Sequence, residues 1–326
     1  MHPILVADIG GTHARFGLSW GKDPETKVYN ISEQKVYRCA EYRSLTDVIR
    51  EYFQEVNEPN VQYACIAVAG PVDGDRIKLT NLSWDFSKTT LKQTFGFERL
   101  EVVNDFAALA YSAKHLKNLD LMQIKEGRDN STGVKAIVGP GTGLGVAALV
   151  PMGERWIPLP GEGGHSAFAP INEKEAAILA LARRRQAHVS TETFLSGNGL
   201  RYLYQIIATL HGEHVEDYQA KDISFHAING SDDVCYEALS LFCGMLGNFC
   251  GDVALMYGST GGLYLGGGIL PRFKTFLMDS DFSNRFSHKG VMSDFVQDMP
   301  VYLMTHPQPA LVGAAGWINS LIQQKI

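Results

Sequence analysis

Apolar and polar positions along this chain fall into blocks that predict an α/β protein. Residues 4–9, ILVADI, are almost wholly apolar and predict a buried strand. GGT follows as a turn and ARFGLSW returns as a second strand, so a hairpin opens the chain. TDVIREYFQEV, 46–56, carries the helical period. YACIAVAGPV, 63–72, is a short apolar run closed by Gly70 and Pro71, which predicts another buried strand. LEVVNDFAALAYSAKHL reads as strand and then helix, with Asn104 and Asp105 at the junction. The polar, turn-rich IKEGRDNSTGVK, 124–135, reads as a loop. AIVGPGTGLGVAALV, 136–150, reads as strand, glycine loop, strand. NEKEAAILALARRRQ, 172–186, reads as a helix with acids early and bases late, the favoured sense for the helix dipole. CYEALSLFCGMLGNFCGDVALMY, 235–257, predicts a long, buried helix. GGLYLGGGILP, 261–271, is again strand and glycine loop, PVYLMTH, 300–306, a strand, and ALVGAAGWINSLIQ a closing helix. This alternation implies an α/β fold with a mixed sheet.

A chain of 326 residues is long enough for about two domains. Hydrophobic residues make up 45%, enough for a sizeable core. A net charge of −6 argues against a broad footprint for nucleic acid, although backbone N–H groups can bind a small anion without net basicity. The five cysteines, Cys39, Cys65, Cys235, Cys243 and Cys250, form no C-x-x-C pair. They read as buried free thiols, which fits a reducing cytoplasm. The first residues lack a basic segment and a cleavage site, so no secretory signal is expected, and no apolar run is read as reaching membrane length. The sequon Asn130-Ser131-Thr132 then carries no weight. Low-complexity tracts, evident repeats and Pro/Ser linkers are all missing, so two domains sharing broad contacts around a cleft are expected.

Three glycine clusters each follow an apolar strand: DIGGTHARFG (8–17), VGPGTGLG (138–145) and LGGGIL (265–270). A lone GGT is usually just a hairpin turn. Three such clusters spread over the chain suggest backbone N–H groups brought close to phosphate oxygens. Thr12 and Thr142 add hydroxyl donors. G-x-x-x-x-G-K-[ST] is missing, so this is not a P-loop protein. GPGTGLG is followed by VAALV, a strand, where a dinucleotide site needs a helix, so a dehydrogenase reading is poor. At the 104–105 junction two readings stand: a helix cap, or a substrate-binding amide beside a catalytic carboxylate. Glu162 and His165 in PGEGGH read equally as loop side chains, and Glu192 as a surface acid near a helix start.

Asp8-Ile9-Gly10-Gly11-Thr12 with Arg15 and Gly17-Leu18 resembles the first phosphate motif of the sugar kinase, heat-shock ATPase and actin superfamily. GPGTGLG resembles its second phosphate motif and LGGGILPR its adenosine motif, in matching order. With VVNDFAA, LPGEGGH, HVSTETFLSG and LGGGILPRF, the chain from about residue 4 to 316 is similar to bacterial ATP-dependent glucokinases of the proteobacterial type. The resemblance implies a two-domain actin-like ATPase (ribonuclease H-like) α/β fold with the active site in the interdomain cleft. It places a small domain at residues 1–110 plus 302–326 and a large one at 111–301.

It also implies phosphoryl transfer from MgATP to the 6-hydroxyl of glucose, with domain closure over the sugar. Asp105 matches the catalytic base, and Asn104, Glu162, His165 and Glu192 match sugar-hydroxyl ligands. Gly10, Gly11 and Thr12 would face the phosphates on one side and Gly141, Thr142 and Gly143 on the other. Gly266, Gly267 and Gly268 would pass under the adenosine. Asp8 matches the position that helps hold Mg2+, through water. Arg15 reads as a phosphate contact or a surface ion pair, and His13 as a neutral substitution. Gly163 and Gly164 argue against a helical Glu-x-x-His metal pair, and the cysteine cluster of zinc-bearing relatives is missing, so no zinc is expected. A homodimer without nucleic-acid or membrane partners completes the expectation. Rival readings are a kinase for mannose, fructose or an N-acetylhexosamine, a sugar-binding relative without catalysis, and a sugar-responsive regulator. The last needs a DNA-binding segment, for which the hairpin starting at residue 4 leaves no room.

Overall fold

The computed structural model describes residues 2–57, 59–79, 82–128 and 130–323. Its strands are β1 (Ile4–Ile9), β2 (His13–Lys22), β3 (Tyr29–Arg38), β4 (Tyr63–Val68), β5 (Arg76–Lys78), β6 (Asp85–Ser87), β7 (Arg99–Asn104), β8 (Leu121–Lys125), β9 (Lys135–Pro140), β10 (Leu144–Met152), β11 (Arg155–Gly161), β12 (Leu263–Leu265) and β13 (Val301–Met304). Its helices are α1 (Leu45–Glu55), α2 (Lys88–Phe95), α3 (Asp105–Ser112), α4 (Glu173–Arg183), α5 (Gly197–His211), α6 (Ala220–Asn229), α7 (Asp233–Tyr257), α8 (Lys274–Asp279), α9 (Phe282–Ser287), α10 (Ser293–Gln297) and α11 (Pro309–Gln323). The chain divides into two compact units, residues 1–121 with 152–160 and 306–326, and residues 122–151 with 161–305. Compared with the division expected from sequence, residues 111–121 and 152–160 go with the first unit and 302–305 with the second.

The first unit is built on a sheet in the order β3-β2-β1-β4-β7. β1 pairs antiparallel with β2 and parallel with β4, which in turn pairs parallel with β7. Leu5, Ala7 and Ile9 of β1 alternate into a core with Phe16, Ile66 and Val68. Helix α1 covers this face: Ser44 caps it by accepting the Asp47 N–H, and Tyr52 stacks on Phe16 at 5.3 Å between ring centroids. Helix α11 packs against β1, β4 and α3. Two glycines on α11 permit the close approach, since a Cβ at Gly313 would run into the Ala108 carbonyl oxygen and one at Gly316 into the His115 ring. The start of α3 is thereby fixed at the C-terminal end of β7.

The second unit repeats this pattern of pairing. Its sheet contains β10-β9-β12-β13-β8, with β9 antiparallel to β10 and parallel to β12, and β12 parallel to β13. The segment expected to be loop from residue 124 keeps its first two residues, Ile124 and Lys125, in β8, and Asp129 lies outside the described residues. Helix α7 corrects a second expectation. It is long and apolar enough to cross a membrane by length and composition. Yet its positions Leu239, Phe242, Leu246 and Phe249 lie in the core with Leu263 and Leu265, so it is a core helix. Beside it, Arg285 of α9 donates to the Glu175 carboxylate of α4, and this ion pair is buried. All five cysteines are free and buried, as expected.

Candidate active site

The helix-cap reading of the 104–105 junction is borne out. Asn104 is the last residue of β7 and the N-cap of α3; its Oδ1 accepts the Ala107 N–H at 3.1 Å. Its Nδ2 donates to the Gly70 carbonyl oxygen at 3.2 Å. A carboxamide has two donors and two acceptor lone pairs, and these two bonds use one of each. Asp105 is the first residue of α3 and accepts the Phe106 N–H at 2.9 Å. The positive end of the helix dipole favours its carboxylate there. Both side chains are half-buried.

The first glycine turn, residues 10–12, joins β1 to β2. Gly10 N–H donates to the His13 carbonyl oxygen at 3.0 Å, and the Thr12 carbonyl accepts the Cys39 N–H at 2.9 Å. Gly11 and Thr12 are exposed, and no partner among the described residues takes their N–H groups. Asp8 lies opposite Arg15 in the hairpin register, and Arg15 Nη1 is 3.3 Å from Asp8 Oδ2. Arg15 is thus held by an ion pair. Burial raises the Asp8 carboxyl above its ordinary value, and Arg15 works against this. A carboxylate beside an exposed glycine turn is the kind of group that could hold Mg2+, which keeps waters and is bound by one or two carboxylates plus substrate phosphates.

In the second unit the turn 141–143 closes the β9–β10 hairpin. Gly141 N–H donates to the Gly143 carbonyl at 2.8 Å, and the Gly141 carbonyl accepts the Gly197 N–H at 2.8 Å. A Cβ at Gly141 or at Gly268 would meet nothing within 4 Å, so both face open space. Gly266 N–H donates to the Val138 carbonyl at 2.9 Å. Gly267 has φ +88°, and a Cβ there would run into the Pro140 carbonyl oxygen, so the third glycine cluster lies directly on the second.

Glu162, His165 and Glu192 are brought together. Residues Gly163–His165 form one 3-10 turn, where the glycines had argued against any helix; the turn is tight because a Cβ at Gly164 would meet the Leu144 backbone. The following segment pairs with 188–191: Phe168 N–H donates to the Val189 carbonyl at 3.0 Å, and Thr191 N–H to the Ser166 carbonyl at 2.8 Å. His165 Nε2 lies 4.0 Å from Glu162 Oε2, and its Nδ1 4.0 Å from Glu192 Oε1. Glu192 Oε2 accepts the Leu144 N–H at 2.6 Å. Glu162 is exposed and Glu192 half-buried. Two further residues meet the candidate site residues, though neither is singled out as one in the sequence. His188 Nε2 bonds the His165 carbonyl oxygen at 2.9 Å, and Gly70 receives Asn104.

Two glycine-turned hairpins, each leading into a mixed sheet, define the two-domain actin-like ATPase fold of sugar kinases. A kinase of the ROK family from Streptomyces griseus, solved with glucose and AMPPNP, shares that fold at TM-score 0.65 and 19% identity, over 98% of this chain and 99% of its own. The chain belongs to the glucokinase family, whose profile, described as Glucokinase, matches residues 5–321. A glucokinase from Saccharophagus degradans is 45% identical over 321 residues, 98% of this chain and 99% of its own. The crystal structure of a glucokinase from an Antarctic psychrotroph superposes with TM-score 0.91 at 41% identity, covering 98% of this chain and 99% of that one.

Proposed function

We propose that this protein transfers the γ-phosphoryl group of ATP to the 6-hydroxyl of glucose, giving glucose 6-phosphate and ADP. The observation that carries this reading is full-length membership of the glucokinase family at 45% identity. The site chemistry supports it. Glucose is neutral and presents hydroxyls that need both donors and acceptors. Asn104, Glu162, His165 and Glu192 supply both kinds.

In this reading Asp105 accepts the proton of the 6-hydroxyl as its oxygen forms a bond to the γ-phosphorus and the bond to ADP breaks. Asn104 orients the sugar with the donor and acceptor that its cap leaves over. The turns at 10–12 and 141–143 receive phosphate oxygens, and Gly266, Gly267 and Gly268 make room for the adenosine. Asp8 is the residue that would hold Mg2+, and the ion would supply positive charge to offset that of the phosphate oxygens. The family resemblance supports a homodimer, and the five free, buried cysteines support a cytoplasmic location.

A coupled assay with MgATP on glucose, mannose, fructose and N-acetylglucosamine tests the proposal, with Asp105→Ala as control. Glucose is expected to be turned over fastest, and the mutant to lose turnover while still binding glucose. Faster turnover of another sugar would overturn the substrate assignment. Binding of glucose without turnover in the parent protein would overturn the activity.

A further inference from the structure

Gly143 belongs to a glycine loop, yet nothing about its backbone requires glycine, since its φ lies outside the left-handed region. Its space is not open either, unlike that at Gly141. A Cβ on Gly143 would lie 2.5 Å from Glu192 Oε2, 3.2 Å from its carboxyl carbon and 3.7 Å from Oε1. All three nearest atoms belong to that one carboxylate. It is held there by the next residue of the loop, Leu144, whose N–H it accepts at 2.6 Å. The same carboxylate turns Oε1 toward His165. The missing side chain of Gly143 is therefore what lets Glu192 reach the loop.

We propose that Gly143 is a positioning residue for the sugar, acting through Glu192, whose carboxylate links the glycine loop to the sugar-binding groups. This rests on the reading of Glu192 as a sugar ligand. A methyl at Gly143 displaces the end of a flexible side chain and leaves backbone in place. Its effect is expected on glucose more than on the nucleotide. The loop keeps its Gly141 N–H to Gly143 bond, and Gly141 and Thr142 keep their open faces.

The test is a double-mutant cycle on Gly143→Ala and Glu192→Ala, read by calorimetric titration with glucose and by thermal melting. Gly143→Ala in the parent protein is expected to weaken glucose binding at least ~10-fold, the loss of one charge-assisted hydrogen bond. The loss of glucose affinity is expected to exceed any change in KM for ATP. In the Glu192→Ala background the same methyl has room, and its effect on glucose is expected to fall below ~2-fold. An equal effect in both backgrounds, or a loss confined to ATP, would overturn the inference while leaving the sugar role of Glu192 intact. Unchanged glucose affinity in Glu192→Ala alone would overturn that sugar role, and this inference with it. Where Gly143→Ala melts too early to titrate, melting decides. A double mutant that melts with Glu192→Ala supports the contact; one that melts well below it refutes it.

Discussion

Asn104 and Gly70 are joined by a hydrogen bond of 3.2 Å from the side-chain amide to the backbone carbonyl, which ties the start of α3 to the loop after β4. The same amide caps the helix. Asn104→Asp keeps the cap acceptor and loses the donor, placing a carboxylate against the Gly70 carbonyl. We expect it to cost ~1–2 kcal/mol in urea unfolding. If Asn104 binds the sugar as proposed, KM for glucose should rise as well. An unchanged KM would remove Asn104 from the sugar site.

Asp105→Asn keeps the size of the residue at the first position of α3. If Asp105 takes the hydroxyl proton, kcat falls by ~10²–10⁴. Glucose affinity, read by calorimetry without nucleotide, should change far less. A variant that binds weakly yet keeps kcat would assign Asp105 to binding.

The ionised Asp8 carboxylate is a burden on the fold. Burial raises its pKa above the ordinary 3.8, and Arg15 offsets this in part. The folded protein thus holds this proton more tightly than the unfolded chain does. Stability falls as pH rises from 3.8 through the raised value, and the whole cost is present above it. Asp8→Asn is therefore expected to melt above the parent at pH 7.5, with the gain vanishing below pH 3.8. Activity should fall in the same variant. A lower melting temperature at pH 7.5 would contradict the burial argument.

His115 gives a slope of the other kind. Its ring lies between Tyr29 and Tyr111, and its Nε2 has no hydrogen-bond partner among the described residues. Burial lowers its pKa from 6.5 to about 3, and Lys22, Lys114 and Lys117 add to the shift. The unfolded chain takes up this proton first. Stability is lost as pH falls below 6.5, by at most ~1.4 kcal/mol per pH unit from this group, until about 3. His115→Gln should flatten the pH dependence of urea unfolding between pH 6.5 and 4, and an unaltered slope would exclude His115 as its source.

Glu175 and Arg285 form a buried pair whose side chains are 1% and 8% exposed. Glu175→Ala strands the guanidinium and is expected to cost ~3–5 kcal/mol. Glu175→Leu combined with Arg285→Met should cost much less than that single change. A double variant as unstable as the single one would show that packing, not the stranded charge, sets the loss.

Legibility in the sequence followed the physics of each element. Strands β1, β4 and β9 are buried on both faces, so they stand out as apolar runs, and the glycine turns at 10–12 and 141–143 punctuate them. Strand β3, YNISEQKVYR, is an edge strand with most positions exposed or half-exposed, and its composition resembles a loop. Glu175 reads as one more surface acid of α4, because its partner lies 110 residues away. The site divides in the same way. Asn104 and Asp105 announce themselves at a strand-to-helix junction, whereas Glu192 and Leu144 meet across 48 residues. Long-range contacts of this kind leave no local pattern.

Helix α11 has a consequence for the order of events at the ribosome. It packs on β1 and β4, which precede the second unit in the chain, but itself follows every residue of that unit. A nascent chain carries its N-terminal sheet uncovered on that face while the second unit is synthesised. The unit that holds Asp105 closes last, when residues 309–323 emerge and Gly313 docks against Ala108. A chain arrested before that point exposes an apolar sheet face, a natural target for holding chaperones and quality-control proteases.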